Sequence, residues 1–288
     1  MERLVIVGPG KVGLALGHAL AQADSVASLI YMGRRPEPPS HPLFLQGVAE
    51  YRYGLDQPPE GTTALILSVP DEALPELANA LAARGPAPDG CPAIHTSGVQ
   101  GADVLEPLNR VGYRVGTLHP LQAIAHPITG AERLVGSGFA VSGEREALAV
   151  IRRLVSILGG RAIQVPTHRR PLYHAAAVLG SNYLVALLGR TAALLQEAGA
   201  GPDEAVEAVL SLAQGILHNV SEMGADGAQT GPIVRGDVEA VELHLRTLSP
   251  DDARLYAALG RVVLDGGARS RIPPERAEEF ETLFERYS

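Results

Sequence analysis

Cysteine is almost missing from this chain: Cys91 is the single one in 288 residues, so no internal disulfide framework can form and a reducing compartment is the natural setting. Basic residues never gather into a run, and the net charge is −8. That balance argues against nucleic acid or an anionic membrane surface as a main partner. The nine histidines show no zinc-like spacing, and with one cysteine beside them no metal is expected. A GxSxG nucleophile turn is absent, which speaks against serine hydrolysis. Internal repeats are absent too. The first apolar strand starts at once and leaves no room for a secretory leader, so a cytoplasmic protein is expected. The one long apolar run, Ala175 to Leu195, is interrupted by Ser181, Asn182, Arg190 and Thr191. It reads as a buried helix facing a partner subunit in a homodimer, and not as a membrane span.

The first thirteen residues carry the strongest positive signal. An apolar strand, Leu4-Val5-Ile6-Val7, runs into Gly8-Pro9-Gly10-Lys11-Val12-Gly13 and then into a helical pattern. In a dinucleotide-binding turn the first glycine lets the chain leave the strand sharply, the second admits a pyrophosphate, and the third brings helix and strand together. Unpaired amides of the helix start, here from Lys11 and Val12 onward, then face the phosphates. The next strand ends in Gly33-Arg34-Arg35, where an NAD-binding chain would place a carboxylate for the ribose hydroxyls. A guanidinium fork at that place suits a 2′-phosphate, so NADP(H) is expected as cofactor in preference to NAD.

Short apolar strands alternate with helical stretches to about Val165, the rhythm of a parallel sheet covered on both faces. Strands are expected at Thr63 to Val69, Pro92 to Ser97, Tyr113 to Leu118, Gly138 to Ser142 and Arg161 to Val165. Beyond Pro166 only helices are expected, at about 171–198, 202–222, 237–248, 250–265 and 274–286. Gly201-Pro202-Asp203-Glu204 and Ser249-Pro250-Asp251-Asp252 supply good helix starts. The expected fold is thus α/β, a doubly wound, mostly parallel Rossmann-type sheet over residues 1–166, followed by an all-α substrate and dimerisation domain over 167–288.

Several dehydrogenase families share this two-domain plan, among them the 6-phosphogluconate, hydroxyisobutyrate and pyrroline-carboxylate enzymes. Five blocks narrow the likeness: His95-Thr96-Ser97-Gly98, Gly116 to Gln122, Tyr173-His174-Ala175-Ala176, Ser181-Asn182-Tyr183-Leu184 and Thr230 to Asp237. Together they resemble the bacterial Rossmann-like family carrying domain of unknown function 2520. That resemblance implies an NAD(P)-dependent oxidoreductase, without naming a substrate.

Hydride transfer needs a group that exchanges a proton with the substrate. His119 is the leading candidate, because it ends a strand and imidazole titrates near neutrality. Leu118-His119-Pro120 also resembles the His-Pro turn of prephenate dehydrogenases, with Ser97 placed like the serine of the preceding strand. Ser68, Val69 and Pro70 are expected to line the ribose and nicotinamide side of the cofactor. His174 and Asn182, two helical turns apart, share a broad face that could look into a cleft. Related hydroxyacid dehydrogenases carry a catalytic lysine four residues before that asparagine; here Val178 stands there. Thr230, Arg235 and Asp237 form the last group, in which Arg235 could clamp a carboxylate or phosphate, or Asp237 could simply cap the next helix and pair with Arg235. The expected function is an NADP(H)-dependent oxidoreductase acting on a small, anionic carbonyl or imine substrate. The alternative is a non-catalytic NADP(H)-binding regulatory or assembly protein.

Overall fold

Alternation of apolar side chains builds the sheet from its centre. In β1 (Glu2–Val7), Leu4 and Ile6 enter one core while Val5 and Val7 enter the other, as the two-residue period of a strand covered on both faces requires. The computed structural model describes residues 1–287. From β1 the chain passes through α1 (Lys11–Gln22), β2 (Val26–Gly33), the short α2 (Pro42–Leu45), β3 (Glu50–Tyr53) and β4 (Ala64–Leu67). It continues through α3 (Leu74–Ala82), β5 (Pro92–His95), α4 (Glu106–Arg110), β6 (Arg114–Pro120), α5 (Pro127–Leu134), β7 (Gly138–Gly143), α6 (Arg145–Ile157) and β8 (Arg161–Gln164).

These strands form one sheet in the order β3-β2-β1-β4-β5-β6-β7-β8, parallel except where β6 and β7 run antiparallel. Helices α1, α5 and α6 cover one face through Leu14, Leu16, Leu134, Ile151 and Leu154, and α3 and α4 cover the other through Leu74, Leu81 and Leu108. The order reverses between β1 and β4, since β1 is followed outward by β2 and β3 on one side and by β4 onward on the other. Crevices at the carboxyl ends of strands around such a reversal are where open α/β sheets bind ligands. The mostly parallel Rossmann-type architecture is as expected from the sequence. Strand β3 was not: Glu50–Tyr53 reads EYRY, only part-buried at the sheet edge, and so lacks the apolar run that marked its neighbours.

Packing divides the chain into one unit, Met1–Leu184, and a second from Val185 onward. The first closes with α7 (Arg170–Val178) and a π-helical turn at Leu179–Tyr183. The second contains α8 (Leu184–Glu197), α9 (Pro202–Gly227), α10 (Pro232–Arg235), α11 (Val238–Thr247), α12 (Pro250–Asp265) and α13 (Pro274–Glu285). Its main core joins α11, α12 and α13 through Val241, Leu245, Ala257, Leu264, Phe280 and Phe284. The Ser249 side chain accepts from the Asp252 amide at 3.3 Å and so caps α12. Arg190 grips Asp252 with two bonds of 2.6 Å, and that grip, helped by Ser249, holds the Asp252 carboxyl down at about 2.

The helical stretch Thr167–Glu197 is long and apolar enough to cross a membrane, yet only 6 % of its most apolar window is buried. It is therefore not a buried helix within this chain. Helices α8 and α9 share only a small cluster of buried residues, Ala192, Ala205 and Val209, and larger side chains such as Leu210, Leu212, Ile216 and Leu217 remain 49–61 % exposed.

Candidate active site

The turn from β1 into α1 has the geometry its glycines promise. Gly8 sits at φ +99°, a region that side chains rarely adopt, and a Cβ there would drive into the Ser68 carbonyl. At Gly13 a Cβ would strike the Gly8 carbonyl and come within 3.1 Å of Ser68 Cβ, which is the close helix-to-strand approach foreseen. Gly10 differs: nothing lies within 4 Å of the position its Cβ would take. It is the N-cap of α1 and has no side-chain cap, so the first amides of the helix face open space. That open cradle, bounded by crowded glycines, fits a pyrophosphate. Gly33 ends β2, where a Cβ would press on the Tyr51 ring. Tyr51 donates to the Arg35 carbonyl at 2.6 Å, fixing the backbone that presents Arg34 and Arg35. Both arginines are exposed, and no ion pair ties either to Glu37 among the described residues.

A cleft of ≈ 480 Å³ extends from this turn across the ends of β4, β5 and β6. Gly10, Lys11 and Val12 line it together with Ser68, Val69, Pro70, Asp71, Ser97, Gly98, His119 and His174. A second hollow, of ≈ 560 Å³, lies among Glu239, Glu242, Glu275, Glu278 and Glu279 of the helical unit. Its carboxylates oppose any phosphate, which leaves the cleft of the sheet unit as the dinucleotide candidate.

At the far end of the cleft two imidazoles converge. A Cβ on Gly98 would lie 2.6 Å from His174 Nδ1 and 2.9 Å from His119 Nε2, so only a glycine leaves room for both rings. His119 Nδ1 is hydrogen-bonded to the Tyr173 hydroxyl at 2.7 Å. Burial, with Arg170 and His174 adding like charge, holds His119 down at about 4, so the ring is neutral at pH 7. His174 Nδ1 is buried without a hydrogen-bond partner. Beneath them His95 is fully buried; its Nδ1 accepts from the Ser97 amide at 3.2 Å, and its Nε2 therefore donates to the Gly101 carbonyl at 2.9 Å. Desolvation pushes it down to about 4 as well. The Ser97 hydroxyl accepts from the Val99 and Gln100 amides at 3.3 and 3.0 Å, so its lone pairs shape the turn under the imidazoles.

The residue that sequence reasoning missed is Arg170. It is fully buried, and its guanidinium donates to the Ser97 carbonyl at 2.7 Å, Thr117 Oγ1 at 2.8 Å and Ser142 Oγ at 3.3 Å. One side chain thus ties α7 to the end of β5, to β6 and to β7. A signal did exist: a cation in the first turn of a helix opposes the helix dipole, which asks for a compensating role.

Other predicted site residues lie elsewhere. Asn182 is exposed in the π-helical turn, its Oδ1 accepting from Ser181 Oγ at 3.0 Å. That turn follows a wider spiral than an α-helix, so the spacing of eight residues does not bring Asn182 into the cleft with His174. Thr230, Arg235 and Asp237 belong to the helical unit. The segment is more ordered than a loop, since Pro232–Arg235 makes one helical turn between Gly231 and Gly236, both at positive φ. Asp237 caps α11 by accepting from the Ala240 amide at 3.2 Å. No ion pair joins it to Arg235 among the described residues.

Among curated proteins, none matches this sequence. Residues 2–120 match the Rossmann-like domain, and residues 137–263 match the domain of unknown function DUF2520. Among solved structures, protein TM1727 from Thermotoga maritima superposes with a TM-score of 0.73 at 21 % identity, over 93 % of this chain and 100 % of that one. A candidate NADP oxidoreductase, BF3122 from Bacteroides fragilis, gives 0.71 at 24 % identity over 92 % and 98 %. Pyrroline carboxylate reductase from Plasmodium falciparum, with NADP bound, gives 0.57 at 14 % identity over 99 % and 97 %. At such identities the likeness is one of fold. This chain joins a Rossmann-like domain to a domain of unknown function 2520.

Proposed function

We propose that the protein is an NADP(H)-dependent oxidoreductase that reduces a small carbonyl or imine substrate. The observation that carries this reading is the single cleft in which the α1 cradle and the paired imidazoles of His119 and His174 meet. Gly8, Gly10, Lys11, Val12 and Gly13 would hold the pyrophosphate; Ser68, Val69 and Pro70 would lie along the nicotinamide side; Arg34 and Arg35 would reach a 2′-phosphate. Bound there, the cofactor supplies hydride chemistry. His119 then presents a neutral ring whose Nε2 can hydrogen-bond a substrate oxygen or nitrogen, and Gly98 keeps the space before it clear. The fold shared with the NADP-bound reductase supports the reading.

Changing Arg34 and Arg35 together to Ala is expected to weaken NADPH binding by about 10–100-fold, the worth of one or two charge-assisted hydrogen bonds, with little effect on NADH. Fluorescence titration of both nucleotides measures it. Equal losses would remove the phosphate clamp, and no binding of either nucleotide would remove the cofactor. Tight binding without turnover on a panel of keto acids, imines and aldehydes would favour the regulatory alternative.

The reading includes a homodimer formed through the helical unit. From Ala208 to Val220, α9 carries no Asp, Glu, Lys or Arg; Val209 packs against α8, while Leu210, Leu212, Ile216, Leu217 and Val220 are exposed. Exposed apolar surface of this extent needs cover, and a second copy supplies it at an interface of the apolar kind typical of obligate dimers. Sedimentation should give twice the chain mass, and Leu217→Lys should shift it to the monomer. A native monomer would refute the dimer.

A further inference from the structure

We infer that Tyr173 and His119 form a proton relay, in which Tyr173 restores the proton that His119 gives up, with the buried Arg170 guanidinium as the counter-charge for the phenolate left behind. The inference rests on reading the cleft as a reductase site.

The relay is built by one helix face. Arg170, Tyr173 and His174 are spaced i, i+3, i+4 in α7, so all three side chains project to the same side. Tyr173 meets His119 edge-on, ring centres 5.6 Å apart and planes at 85°, with the hydroxyl 2.7 Å from Nδ1. No other hydrogen bond of that hydroxyl is found among the described residues. A phenol is the better donor and an imidazole nitrogen the better acceptor, so Tyr173 donates and Nδ1 accepts. The ring proton of neutral His119 then sits on Nε2, the nitrogen facing the space above Gly98. Through its orienting partner His119 is preset as a donor toward substrate.

The three acceptors of Arg170 are a carbonyl and two hydroxyls, and its Nε has no partner. It is a buried cation with no carboxylate bonded to it; Asp71 favours its charge without a direct bond, and an anion formed nearby during the reaction would favour it further. Were a bound reduced nicotinamide to supply hydride to a carbonyl carbon, His119 would give its Nε2 proton to the oxygen: the N–H bond breaks and an O–H bond forms. Nδ1 takes the hydroxyl proton of Tyr173, so the ring stays neutral with its proton moved from Nε2 to Nδ1. Tyr173 is left as phenolate beside Arg170, and water in the cleft returns its proton. Burial raises the Tyr173 hydroxyl above its ordinary value, and the Arg170 charge opposes that rise by favouring the phenolate. An attraction present only after proton transfer lowers the barrier without tightening substrate binding. The charged and titratable groups bearing on His119 are Arg170, His174, His95, Asp71 and Tyr173.

The wiring can be read without cofactor or substrate. In protein labelled with 15N-histidine, two-bond couplings should show His119 as the Nε2–H tautomer, neutral from pH 8 to 5. The Tyr173→Phe variant should lose that preference and show a mixture, with NADPH affinity unchanged and kcat lowered about 10–100-fold at the scale of general acid catalysis. A native His119 in the Nδ1–H form, or a tautomer indifferent to Tyr173→Phe, would overturn the relay even if NADPH binds and turns over. Should the variant fold poorly, the native tautomer alone still decides. Loss of the oxidoreductase reading shows separately, as absence of nicotinamide binding.

Discussion

Replacing His119 with Gln is expected to slow turnover by about 10²–10⁴-fold, the range contributed by a positioned general acid or base. Cofactor affinity should hardly change, because the amides of the α1 turn and the arginines after β2 do not touch this ring. Glutamine can keep a hydrogen bond to substrate but cannot pass a proton from one nitrogen to another. The split between an intact Kd for NADPH and a collapsed kcat is therefore the measurement that matters. Turnover unaffected by the change would remove His119 from the chemistry. The same substitution carries a stability signature. Desolvation, with Arg170 and His174, lowers the folded His119 to about 4, while an unfolded histidine titrates near 6.5. Between those values the unfolded chain binds the proton and the folded chain does not. The stability tied to this group is thus complete above about pH 6.5 and is lost as the pH falls toward 4, by about 3 kcal/mol at most. Denaturant melts at pH 7 and pH 4.5 should show a shallower acid loss in His119→Gln than in the native protein.

The second large effect is a contrast between two glycines of one turn. Gly8→Ala must place a Cβ against the Ser68 carbonyl and within 2.9 Å of Val69 Cγ1 at φ +99°. Neither the backbone of β4 nor the dihedral angle can yield cheaply, so the sheet unit should lose about 3 kcal/mol, by strain and overpacking together. Gly10→Ala meets no atom within 4 Å, and Gly10 has an ordinary φ of −84°. Its stability should stay within about 0.5 kcal/mol of native. What it obstructs is the approach of the pyrophosphate, and NADPH affinity should fall at least about tenfold, or about 1.4 kcal/mol. Thermal melts beside nucleotide titrations test both at once. A stable Gly8→Ala protein, or unchanged NADPH binding by Gly10→Ala, would contradict the geometry of the cradle.

The legible parts of this chain are those in which local chemistry decides. The β1–α1 turn could be read because three glycines at fixed spacing answer three local demands, and α12 because Ser249 and Pro250 make a helix start from neighbouring residues. Other features depended on distant partners. Strand β3 exists because the edge of β2 offers hydrogen bonds to Glu50–Tyr53, whatever its own weak pattern. Asn182 shared a face with His174 by arithmetic, until a π-helical turn intervened. The apolar stretch from Ala175 to Leu195 reads as a helix face to be covered, and within this chain little covers it, because composition records what a helix would bury and not what is present to cover it.

Sequence alone determined the Rossmann-type order of elements, the glycine turn and the arginines after β2, since periodicity, turn chemistry and charge all act over a few residues. Only the tertiary structure could decide that Arg170 lies buried under Ser97, Thr117 and Ser142, that Tyr173 reaches His119 while Asn182 stays exposed, and that Gly98 clears the space before two imidazoles. Arg170 lies 53 positions from Thr117, and His119 lies 54 from Tyr173. Such pairings are fixed when strand ends and a helix close on a common point, and no local pattern encodes where that point falls.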